Sequence, residues 1–422
     1  MGANTASGSG HQRRHKPLAA VWSATVLLAA AVCAALTACS STPGPGDFGP
    51  PSAGPPPVTI LTHSADPSGG DIFIAPMGGG YASGPEILSD TGKVIWFHAL
   101  PQGTAATDFR TQTYLGQPVL TWFQAASPST TADYIYNDRY QQIAVVRAAN
   151  GYETDFHEFL ITPWNTALIL ADDHTTANLT SIGGPSDQQV VDGVVQEIDI
   201  KTGQLLFQWD SADHVPYADS HLPRPSNAGF VWDWFHINAV HLDTDGNLLI
   251  DARNTWTTYK VNLHTGAIMW ELGGKQSSFK LQAAPGQTLD QDGEIFSWQH
   301  DPEALGHGLY TWFDDESPNP TGGSLLGHSR AVTVRLDLAT HVATLINSYN
   351  QPEGLVAGAE GNAQPMPDGN LFVGWGVLPY ISEFSPTGAL LFNAKFPPNV
   401  STYRAYRLPW SIGGYTVAVV VS

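Results

Sequence analysis

Trp234-Phe235-His236, then Asn247-Leu-Leu-Ile-Asp251, then Tyr259-Lys-Val-Asn-Leu-His-Thr-Gly-Ala-Ile-Met-Trp270: this stretch decides the fold, because it recurs. Its opening triplet, bulky and then polar or cationic, has counterparts at Asp108-Phe109-Arg110, Asp155-Phe156-His157, Trp298-Gln299-His300, Glu360-Gly361-Asn362 and Thr402-Tyr403-Arg404. An apolar strand follows each of the first five: Pro118–Phe123, Ala167–Ala171, Asn247–Asp251, Gly308–Trp312 and Asn370–Gly374. An alternating polar–apolar hairpin is then expected in every copy, with turns at Gly92, Gly151, Gly203, Gly266, Thr340 and Gly388. Alternation at period two marks half-buried strands, and Thr-Gly supplies the positive φ that a tight hairpin needs. Six such units predict an all-β, six-bladed β-propeller over residues 58–422. A pair of β-sandwiches or a β-helix would not repeat both elements six times.

Composition agrees. Gly and Pro are abundant (42 and 31 residues), and charged residues make up only 13%, which favours a turn-rich β protein. The formal net charge is −20, which argues against a nucleic-acid partner, because phosphate binding needs a basic face. Three long polar stretches, 211–232, 273–297 and 314–329, adjoin the fourth and fifth repeats and read as binding loops or lids. The amino terminus reads as targeting. Arg13, Arg14 and Lys16 precede an apolar run from Leu18 to Leu36, which ends in Leu36-Thr37-Ala38-Cys39. That pattern resembles a bacterial lipobox. It predicts a signal peptide over 1–38, a lipidated Cys39, and a flexible Gly/Pro/Ser-rich tether over 39–57. The protein is then expected outside the cytoplasm, held to the cell membrane by that lipid. With Cys33 in the signal and Cys39 lipidated, no cysteine remains for disulfide or thiol chemistry.

Equivalent positions of a closed ring meet around its axis. Arg110, His157, His236, His300, Asn362 and Arg404 are therefore expected to line one central pocket suited to an oxyanion. Arg gives bidentate donors, and imidazole can donate, accept a proton or act as nucleophile. Asp108, Asp155, Asp233 and Asp301 lie close enough in sequence to orient an imidazole. Asn238 and Gln364 add polar contacts, and Arg330 reaches the pocket if the loop before it folds over the channel. The other histidines, His241 and His307 among them, read as background. No His-Glu-x-x-His spacing appears, so neither a metal nor a cofactor is expected.

Several stretches together resemble the arylsulfate sulfotransferase family in its actinobacterial and fungal branch. They are Asp233-Trp-Phe-His-Ile-Asn-Ala-Val240, Asp245–Asn254, Phe296-Ser-Trp-Gln-His-Asp301, Ser329-Arg330, Glu360-Gly-Asn-Ala-Gln364, Asp368–Gly376 and Ser401–Arg407. The resemblance implies a six-bladed propeller that moves a sulfuryl group from an aryl sulfate to a phenol without a nucleotide donor. It gives His236, His300 and Arg330 to the sulfuryl oxygens or to proton handling. It also implies a sixth-repeat histidine nucleophile where this chain has Asn362, and asparagine cannot form a sulfo-enzyme. His236 or His300 as nucleophile, direct transfer, and loss of activity all stay open. Two other classes remain: a non-catalytic ligand-binding or scaffold propeller lipoprotein, and a quinoprotein-like dehydrogenase. Six repeats and the lack of an adjacent cysteine pair count against the dehydrogenase.

Overall fold

The computed structural model describes residues 54–64, 67–316 and 326–410. The expected signal segment, Cys39 and nearly all of the tether lie outside the described residues. The chain forms a six-bladed β-propeller. Blade 2 runs outward from β5 (Ala105–Tyr114) through β6 (Gln117–Ala125) and β7 (Ala132–Tyr136) to β8 (Gln142–Val146). Blade 3 comprises β9 (Glu153–Ile161), β10 (Thr166–Ala177), β11 (Gln188–Asp199) and β12 (Leu205–Asp210). Blade 4 comprises β13 (Ile237–Leu242), β14 (Leu248–Ala252), β15 (Thr257–Val261) and β16 (Ile268–Leu272).

The ring is closed by exchange between the chain ends. Late strand β26 (Val400–Leu408) is the inner strand of blade 1, beside β2 (Asp71–Gly78), β3 (Glu86–Leu88) and β4 (Val94–Phe97). Conversely, early strand β1 (Thr59–His63) becomes the fifth, outermost strand of blade 6, outside β22 (Asn362–Pro365), β23 (Leu371–Gly374), β24 (Tyr380–Phe384) and β25 (Leu390–Lys395). Blade 5 also has five strands. To β18 (His300–Gly306), β19 (Leu309–Asp314), β20 (Arg330–Asp337) and β21 (Val342–Asn350) it adds β17 (Lys280–Ala283), which pairs in parallel with β21. The long 273–297 stretch thus contributes an outer strand, which its composition did not announce.

Five of the six expected hairpin turns fall between the third and fourth strands of their blades. The Gly151 turn does not: Gly151 lies between β8 and β9, on the way into the next blade. Blade 2 turns at 137–141 instead, without glycine. The Asn137 side chain accepts from the backbone N–H groups of Arg139 and Gln141, and Tyr140 takes φ +58°. An Asx turn does the work that Thr-Gly does elsewhere.

Blades pack face to face through aromatic seams. Trp312 of β19 is fully buried against blade 4 and donates its Nε1–H to Thr258 of β15 at 2.8 Å. Truncating a buried tryptophan of this kind costs about 3–5 kcal/mol.

Candidate active site

Ring order around the axis is β26, β5, β9, β13, β18, β22. Five of these inner strands break register with their neighbour at the triplet or just after it: between Thr107 and Arg110, Thr154 and Phe159, Ile237 and Ala239, His300 and Glu303, and Thr402 and Ala405. Asp108 and Asp301 lie within these breaks with φ of +49° and +57°, and His236, just before the break in its strand, has φ +53°. Bulges re-aim side chains, and here they turn the triplet residues towards the axis.

Three imidazoles come together. The His157 ring centroid stands 5.1 Å from that of His236 and 6.4 Å from that of His300. Phe156 stacks on His157 at 3.9 Å, and Tyr403 meets it edge-on at 5.6 Å. Each ring points its Nδ1 at a carboxylate: Asp155 for His157 at 2.7 Å, Asp315 for His300 at 2.6 Å, and Asp233 for His236. Among the described residues, no group hydrogen-bonds the Nε2 of any of the three. Side-chain exposure differs sharply: 29% for His236, against 5% and 1% for His157 and His300. The cluster therefore opens to solvent at His236. Burial lowers the His157 pKa although Asp155 opposes it. Burial, with Arg253 next, holds His300 well below the usual imidazole range. Both are neutral rings at neutral pH.

The two ring arginines sit differently. Arg404 donates to Glu158 at 2.6 Å and to the Asn238 carbonyl at 3.2 Å, and lies 3.5 Å from Asp301. Arg110 pairs with Glu158 and with Asp108, the latter at 3.2 Å, and donates to the Phe159 carbonyl. His241 adds its Nε2 at 3.0 Å from Glu158. Burial opposes the charge on Glu158, but Arg110 and Arg404 overcome it and hold its pKa well below the usual range. Burial likewise opposes a charge on His241, yet Glu158 and Glu303 push its pKa well up. Guanidinium, imidazolium and carboxylate charges thus offset one another, and the expected positive hollow is a balanced ion network beneath the imidazoles. Arg110 and Gln364 also face a cavity of about 640 Å³ where the inner strands end, lined further by Gln112, Asn165, Glu303 and Tyr406.

The remaining expected residues hold backbone. Asn362 donates to the Ala405 carbonyl at 2.8 Å and accepts from the Ala405 N–H at 2.9 Å, joining blade 6 to blade 1. Gln364 does the same with Arg407. A Cβ at Gly374 would stand 2.3 Å from the Asn362 Oδ1, so this suture requires glycine there. Asn238 donates to the Gln299 carbonyl at 2.7 Å, from blade 4 to blade 5. Arg330 stays away from the imidazoles. Its guanidinium donates to Asp314 and to the carbonyls of Thr288 and Ile295, each at 2.8 Å, and so pins the 273–297 stretch.

Sequence reasoning missed four participants. Asp315 comes from the end of β19, not from His300's own strand. His241 and Glu158 are inward positions on inner strands, a parity signal the sequence did carry. Arg253 follows β14, donates to the Gly358 carbonyl at 2.9 Å, and lies over the Trp298 ring at 4.8 Å. Among the described residues no carboxylate forms an ion pair with it, unlike Arg110, Arg330, Arg404 and Arg407.

A six-bladed propeller with carboxylate-anchored imidazoles at one end of its channel is the class that fold and site define. The family model described as arylsulfotransferase (ASST) matches residues 110–397, well over half of the chain. The chain belongs to the arylsulfotransferase family. No curated protein matches it. Similar solved structures include a protein of unknown function from Bacteroides caccae (13% identity, 81% of this chain and 100% of that one, TM-score 0.47). Others are a catalytically inactive virginiamycin B lyase from Staphylococcus aureus with quinupristin (8%, 81% and 88%, TM-score 0.39) and Kuenenia stuttgartiensis hydrazine synthase (13%, 82% and 80%, TM-score 0.39).

Proposed function

We propose that this protein is an arylsulfotransferase-like enzyme that moves a sulfuryl group from an aryl sulfate to a phenol at the His157–His236–His300 cluster. The observation that carries the reading is the arrangement of those rings. Each Nδ1 is held by a carboxylate, and each Nε2 is left for chemistry. A carboxylate on Nδ1 fixes the tautomer and stabilises positive charge that develops on the ring.

His236 is the nucleophile in this reading, because it is the exposed ring of the three. Its Nε2 lone pair attacks sulfur as the sulfur–aryloxy bond breaks, and the aryloxide leaves with the bonding pair. The Nδ1 proton stays shared with Asp233. The acceptor phenol's oxygen then attacks sulfur, the nitrogen–sulfur bond breaks, and the phenol's proton ends on the leaving phenolate through solvent. Arg253 supplies the unpaired cation beside the cluster, where preorganised charge stabilises sulfuryl oxygens. Asn362 takes no part, being committed to Ala405. The lipobox at Leu36–Cys39 would tether the enzyme to the outer side of the cell membrane.

Purified protein incubated with a chromogenic aryl sulfate and a phenol tests the reading. Phenol-dependent colour release is expected, lost by about three orders of magnitude in His236→Ala. No phenol-dependent release from the folded wild type returns the protein to the non-catalytic propeller class.

A further inference from the structure

We propose that the cavity at the far end of the channel binds an amphipathic monocation, an ammonium group carried on an aryl or alkyl body, with Glu303 as its counter-ion. This does not rest on the sulfuryl-transfer reading. At about 640 Å³, the cavity falls within the range of roughly 300–1,000 Å³ that holds a small organic ligand. Its lining comes from late residues of β5, β9, β18, β22 and β26 and from the loops that follow β5 and β9. The imidazole cluster stands at the other end, near where the inner strands begin.

The distribution of charge along the axis singles out Glu303. Arg404 lies 2.6 Å from Glu158, 3.4 Å from Asp108 and 3.5 Å from Asp301. Arg110 pairs with Glu158 and Asp108. His241 sets its Nε2 at 3.0 Å from Glu158 and 3.5 Å from Asp301. Glu303 has only the Nδ1 of that same imidazole, at 3.7 Å, which is beyond hydrogen-bond range. Among the described residues, no group hydrogen-bonds its carboxylate. Arg110, Arg404 and His241 are thus shared by Asp108, Glu158 and Asp301, and Glu303 faces the cavity without a cation of its own, its side chain 28% exposed. Burial raises its pKa against the pull of His241, as it does for a carboxylate short of a counter-ion. Arg110 also borders the cavity, but its guanidinium is committed to carboxylates and to the Phe159 carbonyl, so an anion finds no free partner in it. The net charge of −20 further favours a cation at either mouth.

The walls and rim suit an apolar body. Leu160, Ile161, Pro163, Tyr406 and Leu408 form much of the wall. Gln112 and Gln364 hold backbone groups through both ends of their amides, which leaves Glu303 as the charged anchor. At the rim, Leu115 and Trp164 are 66% and 45% exposed, and they adjoin the lining residues Gly116, Pro163 and Asn165 in the chain. Asn165 Oδ1 accepts from the Leu115 N–H at 2.6 Å, which ties the two loops together. Large apolar side chains exposed side by side at the edge of a cavity mark a binding surface.

Isothermal titration calorimetry of the purified chain with phenylpropylamine tests the proposal. Saturable binding at one site per chain is expected. Phenylpropanol, the neutral isostere, and phenylpropionate, the anionic one, should each bind at least ~10-fold more weakly. Methylammonium, which leaves the apolar walls uncovered, should also bind at least ~10-fold more weakly. Glu303→Gln should weaken the amine by roughly 10–100-fold, whereas His236→Ala, at the opposite end of the channel, should bind it as the wild type does. Melting curves confirm that each variant is folded. Absence of saturable binding, equal affinity of the wild type for amine and alcohol, unchanged amine binding in folded Glu303→Gln, or its loss in folded His236→Ala would each overturn the proposal. Aryl sulfate turnover is no part of this readout, so failure here leaves the sulfuryl reading standing, and failure of that reading leaves this site untouched.

Discussion

His300 Nδ1 stands 2.6 Å from Asp315 Oδ2, with both side chains shut away from water. The carboxylate arrives from the end of β19, so strand pairing in blade 5 sets the orientation of the ring that begins β18. His157 and His236 are served instead from within their own short segments, by Asp155 and Asp233. One imidazole is thus a tertiary product, and two are local ones.

Replacing the carboxylate separates orientation from fold. Asp233→Asn keeps size and polarity but no longer fixes the reactive tautomer of His236. Turnover of an aryl sulfate is expected to fall roughly 10²–10⁴-fold with thermal stability changed little. Steady-state kinetics beside a melting curve checks this, and an unchanged kcat removes His236 as nucleophile.

Arg404 carries stability. Its removal would leave the buried Asp301 without a guanidinium and the buried Glu158 with one guanidinium, that of Arg110, in place of two. Arg404→Met should cost about 3–5 kcal/mol, read as a lower denaturant midpoint with unchanged slope. The double variant with Asp301→Asn should recover part of that loss, since the carboxylate that has lost its only guanidinium is then gone.

Arg330 gives the opposite split from a catalytic arginine. Arg330→Ala strands Asp314 and frees two carbonyls of the 273–297 stretch, for a loss of about 3–5 kcal/mol. Turnover per folded molecule is expected to stay close to wild type. A kcat collapse in protein shown to be folded would put Arg330 in the chemistry after all.

Glu360 predicts an alkaline weakness. Burial pushes its pKa from 4.5 up to about 8, and its Oε2 has no hydrogen-bond partner among the described residues. A raised folded-state pKa means that the native state binds the extra proton. Its stabilising contribution is therefore full below pH 4.5 and lost as pH rises through about 8. Glu360→Gln should flatten that slope and raise stability at pH 8 by on the order of 1–3 kcal/mol. Equal slopes for the two proteins in denaturant titrations from pH 5 to 8.5 would refute it.

Much of the site was visible before folding. The triplets around His157, His236 and His300 mark the inner-strand bulges, and Asp155 and Asp233 lie within three residues of the rings they anchor. Arg110 and Arg404 were visible as ring residues, and Asp108 stood two residues from Arg110, but Glu158, which both arginines grip, was not visible. Glu158 meets both arginines, and Asp301 meets Arg404, only between strands of different blades, and such proximity has no counterpart in linear spacing. Gly374 shows the same limit: its reason is the Asn362 side chain of the neighbouring strand. In blade 2, Asn137 replaced the expected glycine because a side-chain acceptor can close a turn that backbone freedom closes elsewhere.

By itself, the sequence determined the propeller and its number of blades, since period-two strands repeated six times bury their faces only by packing blade on blade. It also marked the triplets that lie on or just before the innermost strand of each blade. Only the tertiary structure decided what those residues became. Closure of the ring set Arg110 and Arg404 against carboxylates, Asn362 against the backbone of Ala405, and three imidazoles against one another. Burial there makes each charge depend on its nearest partner, and that partner is chosen by the fold.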